Sequence, residues 1–305
     1  MNPVVGIGEI LWDVFPDGHK VAGGAPFNFA FHCHQLGHPA AIVSRVGDDD
    51  LGRELRERVR ELGLSDEHIQ TDHTRPTGTV RVALDANKVP AYTITENVAW
   101  DHIEWDDELE RLAERARGVC FGTLGQRDES ANAIVGFVQR ARGGGGGAYR
   151  MLDVNLRQHF YSGALLRASL CRAPVVKVSE DELQVVCDTL GLPGETTGAR
   201  VREVFRFSAA ETRFVYVTRG ADGAEGYDER DAQPVVMGGV PVRVADTVGA
   251  GDAFTAAVMC LMAEGRRMED QLRFAVHYAA RVCEQPGGTP RIDRAEVERA
   301  AGSGA

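Results

Sequence analysis

The chain has 305 residues, 43% of them hydrophobic and 26% charged, which is ordinary globular composition. Its formal net charge of −11 repels phosphate backbones and anionic bilayers, so nucleic-acid and membrane partners are not expected. A small anionic ligand held by backbone amides remains compatible with that field, and 35 glycines point to tight turns or close backbone approaches to a ligand.

Val4–Leu11 reads as a buried strand. Glu9 and Asp13 interrupt the only early apolar run, so no signal peptide is expected. Pro26–Leu36 reads as a helix with proline near its start, followed by a strand over Ala40–Val46. Leu51–Leu62 is an amphipathic helix led by the cap-capable run Asp48, Asp49 and Asp50, which a calcium loop would have to spread over about twelve residues. From Thr77 to Thr95 the pattern has period two, with Val80, Val82 and Leu84, an Asp85–Pro90 turn, then Tyr92 and Ile94. That is a hairpin with one covered face, a natural lid.

Strand and helix then alternate through Gly118–Phe121, Ala131–Arg142, Arg150–Val154, Val175–Val178 and Phe214–Thr218. The rhythm predicts an α/β fold, a doubly wound, mostly parallel sheet with helices on both faces and a small β lid. Gly143–Gly147 is expected to be a loop rather than a domain linker, and the tail from Gly302 to Ala305 to be disordered. One domain over 1–305 is expected, with the lid inserted at about 75–98 and the segment 13–24 as a candidate addition to it.

The six cysteines are scattered, with no CxxC pair, and the longest uncharged apolar stretch, Ala253–Ala263, is too short to span a bilayer. A reducing, cytoplasmic setting is expected. His32 and His34, two apart on a helix, point in different directions and cannot share one ion, so a solvated or core-edge role is expected for them. No G-x-x-x-x-G-K-[ST] loop is present, and Gly6-x-Gly8 lacks the third glycine of a dinucleotide fingerprint, with Leu at position 11.

The strongest chemical signal is Asp246-Thr247-Val248-Gly249-Ala250-Gly251-Asp252-Ala253-Phe254. A Gly-Ala-Gly turn here precedes a helix, Asp252 to about Ala263, that is apolar almost all round and therefore buried. The unpaired N–H groups of such a helix start suit a transferred phosphoryl group, and Asp252 in the first turn can accept the proton of an attacking hydroxyl.

Asp246–Phe254 resembles the C-terminal signature of the ribokinase-like (PfkB) sugar kinase family. Val21-Ala22-Gly23-Gly24-Ala25-Pro26-Phe27-Asn28, followed by Arg45-Val46-Gly47-Asp48-Asp49-Asp50-Leu51-Gly52, resembles its N-terminal one. The resemblance implies ATP-dependent phosphorylation of a sugar hydroxyl. Asp252 then matches the general base, and Gly249, Ala250 and Gly251 the anion hole. Asp13, Gly23, Gly24 and Asn28 match sugar contacts, although a mid-helix surface position explains Asn28 almost as well and loop capping is open to Asp13.

Three segments, Asp153–Tyr161, Gly122–Arg127 and Ala99–Asp101, look like bacterial fructokinases and tilt the expected sugar towards fructose. Ribose, 2-keto-3-deoxygluconate or a nucleoside, or a non-catalytic sugar- or nucleotide-binding regulator, are the alternatives. Arg157 is then a candidate phosphate contact, and Asp153 or Asn155 a candidate to line the cleft at a strand end, with Asp153 as the candidate substrate ligand. Thr218, Gly220 and Gly223 resemble the turn lining the nucleotide site, and Gly287-Gly288-Thr289-Pro290 a further turn near the base.

The family's Asn, three residues before Glu182, is replaced here by Ser179. Glu182 is expected to serve Mg²⁺ through water, and Ser179–Glu182 also has the form of a capping box. The resemblance further suggests a monovalent cation, K⁺, near Asp246, and a homodimer paired through lid strands, with Val80, Val82 and Leu84 facing a partner or only the sugar.

Overall fold

The computed structural model describes residues 2–84, 90–142, 147–209 and 211–302. Residues 85–89 of the Asp85–Pro90 turn, Gly143–Gly146 and the tail beyond Gly302 lie outside the described residues, as does the side chain of Leu84.

Short apolar strands build the main sheet, because parallel strands are buried on both faces and read as continuous hydrophobic runs. β1 (Val4–Ile7) sits at its centre, flanked on one side by β4 (Ala40–Gly47) and β5 (Ile69–Asp72). On the other side follow β8 (Gly118–Phe121), β9 (Tyr149–Asp153), β10 (Val175–Ser179) and β11 (Phe214–Thr218), all parallel. β12 (Ala224–Asp228) and β13 (Val235–Met237) close that edge antiparallel.

Helices cover both faces, as the alternation requires. One core packs α3 (Asp107–Arg115), α4 (Ser130–Arg140), α5 (Gly163–Leu170), α6 (Glu180–Leu190) and α7 (Thr197–Phe207) against the sheet. The other gathers α1 (Ala25–Gln35), α8 (Ala250–Ala263), α9 (Met268–Cys283) and α10 (Arg294–Gly302). α8 is buried at every residue from Ala253 to Ala263, matching its all-round apolar sequence. α2 (Asp50–Glu61) packs beside α1 and is capped by Asp49, whose carboxylate accepts from Gly52 N. No helix among the described residues is long and apolar enough to cross a membrane.

The expected strand over Val4–Leu11 is in fact two. β1 ends at Ile7, Gly8 takes φ +143°, and β2 (Leu11–Val14) belongs to a second sheet of order β3-β2-β6-β7. The backbone conformation at Gly8 is one that residues with a Cβ rarely adopt, so the glycine turns the chain out of the main sheet. β3 (Lys20–Gly23) pairs antiparallel with β2, and β6 (Thr79–Leu84) with β7 (Pro90–Ile94). The second sheet therefore grows directly from the end of the central strand.

The histidine expectation holds for His34, which is exposed, and needs correction for His32. His32 is fully buried, because its ring bridges two elements: Nε2 lies 3.0 Å from Gly288 O, and Nδ1 3.0 Å from the Tyr278 hydroxyl. Burial pushes its pKa down to about 4, so the ring is neutral. A carbonyl can only accept, which fixes the proton on Nε2 and makes Nδ1 the acceptor for Tyr278.

Candidate active site

A cavity of about 640 Å³ opens where the strand order reverses, between the C-terminal ends of β1 and β8. Residues just after both strands, Glu9 and Leu124, line it. The second sheet contributes Asp13, Val80, Tyr92 and Ile94, so one wall is apolar and carries a single carboxylate.

At the floor stands the start of α8. Its N-cap is Gly249, at φ +76°, with no side-chain cap. A Cβ at this position would come within 2.6 Å of Gly288 Cα, so both the backbone angle and the space demand glycine. The turn is thus held against the Gly287–Gly288 turn that His32 anchors. The Ala250 N–H is taken up by Thr247 O at 3.3 Å, whereas the amides of Gly249, Gly251 and Asp252 have no partner among the described residues. Of the Gly249–Gly251 trio, then, Ala250 differs from expectation: its amide closes the turn.

Asp252 lines the cavity, and its Oδ2 accepts from Asn28 Nδ2 at 2.8 Å. Burial, helped by the nearby Asp153 carboxylate, pushes its pKa up to about 6. Asn28 is buried on α1 rather than on a surface face, and its Oδ1 has no partner. Gly24 caps that helix at φ +117°, and a Cβ there would sit 2.4 Å from Glu9 O. Gly23 lies beside Asp13, whose half-buried carboxyl is pushed up to about 6 by burial, with Arg157 pulling the other way. Gly23, Gly24, Asn28 and Asp13 all line the same cavity.

Two lining residues carry no sequence expectation. Glu9 is buried; its Oε1 accepts from Ala25 N at 3.2 Å, and its Oε2 has no partner among the described residues. Burial raises its pKa to about 7. Lys177 is the second, and it explains where Asp153 went. Of the two strand-end candidates Asn155 lines the cavity and Asp153 does not: the Asp153 Oδ1 accepts from Lys177 Nζ at 3.1 Å and its Oδ2 from the Thr255 hydroxyl at 2.8 Å. Register places Asp153 directly opposite Lys177 on neighbouring strands, so the carboxylate serves the ammonium rather than the cleft. Burial works against the Lys177 charge, but Asp153 and Glu182 outweigh it and the net shift is upward.

Arg157 is exposed on the cavity rim, with Nη1 on the Leu156 carbonyl at 3.0 Å. Its segment is strained: Asn155 and Gln158 both take φ +45°, and Gln158 Nε2 donates to Tyr92 O at 2.6 Å, tying the rim to the second sheet.

The remaining candidates lie apart from the cavity lining. Glu182 and Ser179 form a closed capping box, and the second Glu182 oxygen accepts from Leu156 N at 2.8 Å. Asp246 accepts from Val248 N at 3.0 Å and Gly287 N at 2.9 Å, bracing the turns on either side of Gly249. Thr218 is opposite Ser179 at the end of β11; Gly220 and Gly223 follow it, and a Cβ at Gly223 would overlap Met237 O at 2.1 Å. Close backbone packing therefore accounts for Gly223.

A family model described as pfkB family carbohydrate kinase matches residues 13–294. A fructokinase of Vibrio alginolyticus is 27% identical over 275 residues, covering 86% of this chain and 84% of its own. The crystal structure of an uncharacterized sugar kinase from Pyrococcus horikoshii superposes with a TM-score of 0.80 at 25% identity, covering 98% of this chain and 97% of that one. A fructokinase from Xylella fastidiosa with bound ATP gives 0.83 at 21% identity, covering 99% and 98%.

Proposed function

The chain belongs to the pfkB family of carbohydrate kinases, and on that premise we propose that it transfers the γ-phosphoryl group of ATP to a hydroxyl of fructose, with Asp252 as general base. It is a phosphotransferase with an alcohol group as acceptor. The observation that carries the assignment of the base is the pairing of Asp252 with unpartnered amides at the start of α8, on the floor of the cavity.

In this reading fructose binds under the second sheet. Asp13 accepts hydrogen bonds from its hydroxyls, Gly23 and Gly24 let the sugar approach the backbone, and Asn28 holds the Asp252 carboxylate in place. Asp252 takes the proton as the hydroxyl oxygen attacks phosphorus, the β–γ bridge bond breaks, and the amides of Gly249 and Gly251 receive the charge on the phosphoryl oxygens. Arg157 meets the same group from the rim. The second sheet acts as a lid that keeps water from the phosphoryl group.

ATP is placed along the ends of β10 and β11, towards Thr218, Gly220 and Gly223. Bound with ATP, Mg²⁺ would supply charge neutralisation at the phosphates, and Glu182 would hold it through water, since both carboxylate oxygens already accept backbone N–H groups. Asp246 is engaged in the same way, and no step is routed through K⁺. Fructose is favoured by the likeness to the Vibrio alginolyticus fructokinase.

The test is coupled ADP release with MgATP against fructose, ribose, 2-keto-3-deoxygluconate, glucose and adenosine, with and without K⁺. Turnover on fructose is expected. Faster turnover on another sugar would replace fructose and keep the base, whereas ADP release on none would remove the proposed reaction.

A further inference from the structure

We infer that Lys177 is a catalytic residue, its ammonium donating hydrogen bonds to the phosphoryl oxygens during transfer while Asp153 holds it in place. The inference rests on the reading of Gly249–Asp252 as the phosphoryl site.

Lys177 is only 7% exposed, yet it lines the cavity together with Gly249, Gly251 and Asp252. A Cβ on Gly251 would stand 3.1 Å from its Nζ. The ammonium therefore lies against the first turn of α8, beside the unpartnered amides. That is an unfavourable place for a cation, because a helix start carries partial positive charge. Burial adds a desolvation cost, which the Asp153 and Glu182 carboxylates offset. An ammonium has three donors, and among the described residues Lys177 uses one, on Asp153 Oδ1. A site with positive charge from both a lysine and a helix start, and with donors to spare, is complementary to an anion.

The residue type points the same way. Lysine occurs three times in the chain, at Lys20, Lys88 and Lys177, against 31 arginines. Arginine brings a wide planar fork, whereas lysine is a compact point charge that fits beside Gly251. Asp153 is the positioning residue: Thr255, from α8 itself, bonds its second oxygen and fixes the carboxylate to the helix that carries Asp252. In the transfer step Lys177 keeps its proton. The proton leaving the sugar hydroxyl goes to Asp252, and the electron pair of the broken P–O bond leaves with ADP.

A purely structural ion pair makes a different prediction, because a neutral pair of similar shape replaces such a bridge without kinetic cost. The decisive protein is the double variant Lys177→Met with Asp153→Asn, which removes the ammonium without stranding a buried charge. With whichever sugar turns over best, kcat is expected to fall on the order of 10²–10³-fold, the usual cost of one missing transition-state donor, with KM for the sugar within about threefold. A kcat within threefold of wild type overturns the proposal, and so does a rise in sugar KM at unchanged kcat.

Asp252→Asn is run in parallel. If that variant stays active, the reading of the site has failed; if it is inactive while the double variant is active, only the role of Lys177 has failed. Should the double variant not fold, wild-type protein labelled with [¹⁵N]lysine decides, since only three Nζ signals exist. The buried, slowly exchanging one must shift on addition of MgADP, aluminium fluoride and sugar together, and stay with sugar alone. No shift with the phosphoryl mimic overturns the proposal.

Discussion

Two helices begin at the C-terminal end of the main sheet, on its opposite faces, and their first turns are built in opposite ways. α6 opens with Ser179 and Glu182, which bond each other's backbone N–H groups at 3.2 and 2.9 Å and leave the turn closed upon itself. α8 opens with Gly249 and Gly251, has no side-chain cap, and keeps three amides without a partner among the described residues. A capped start gains stability and loses the ability to bind an anion; an uncapped one does the reverse. The difference separates a helix start braced by its own side chains from one left open to a ligand, both at the C-terminal end of the sheet.

The comparison breaks most visibly at Asp252. Replacing it with Asn keeps the shape of the turn and the side chain's contact with Asn28 but removes the proton acceptor. We expect kcat to fall by about 10²–10⁴-fold, with sugar affinity by calorimetry within a few-fold. Near-normal turnover would show that the open helix start supplies binding only.

Gly249→Ala tests the opening itself. A Cβ here must accept φ +76° and a 2.6 Å approach to Gly288 Cα, so the turn has to shift and carry the amides with it. A loss approaching the order of 10²-fold in kcat is expected, with a fall in Tm from the strain, of about 1–3 kcal/mol. Unchanged kcat in a folded variant would mean that the amides are not used.

The main sheet was legible because apolar runs and their spacing are local signals, and the open helix start because Gly-Ala-Gly-Asp is contiguous. What stayed hidden depended on pairing across the sheet. Lys177 looks like one residue of a strand, and only the register opposite Asp153 shows it buried beside Gly251. Glu9 reads as part of a continuous strand until Gly8 turns the chain and drops it at the switch point. His32 carries no sign that α9 and the Gly288 turn, both more than two hundred residues away, supply its partners. The acidic residue directly after Gly8 is the nearest local cue, and it specifies no partner.

Glu9 combines both behaviours in one side chain, Oε1 closed on Ala25 N and Oε2 open. Its pKa rises from 4.5 to about 7, so the folded protein binds the proton more tightly than the unfolded chain. The stability this group contributes is complete below about pH 4.5 and is lost as pH rises through about 7. Glu9→Gln keeps the bond to Ala25 and carries no charge, so at pH 8 it should be more stable than wild type by roughly 1–3 kcal/mol, and less so at pH 5. Equal Tm values at both pH values would contradict the burial argument. Activity has its own pH limit: with Asp252 at about 6, kcat/KM should fall about tenfold per unit below that point.

The smallest effect is expected at the closed helix, and it is the one that tests the contrast from the other side. Ser179→Ala removes the hydroxyl that accepts from Glu182 N and leaves Glu182 free to keep its bonds to the Ser179 and Leu156 amides. Losing an N-cap of this kind costs about 1 kcal/mol, read as a drop in Tm of a few degrees. If α6 only holds the fold, kcat with saturating MgATP stays within about threefold of wild type. Ser179→Asn separates the alternatives further, because asparagine caps as well as serine does and also extends an amide towards the strand end. Restored Tm with unchanged kcat keeps α6 a structural helix. A kcat loss in Ser179→Ala that Ser179→Asn recovers, at equal Tm, would instead put the side chain at position 179 in direct contact with the nucleotide and erase the division between the two helices.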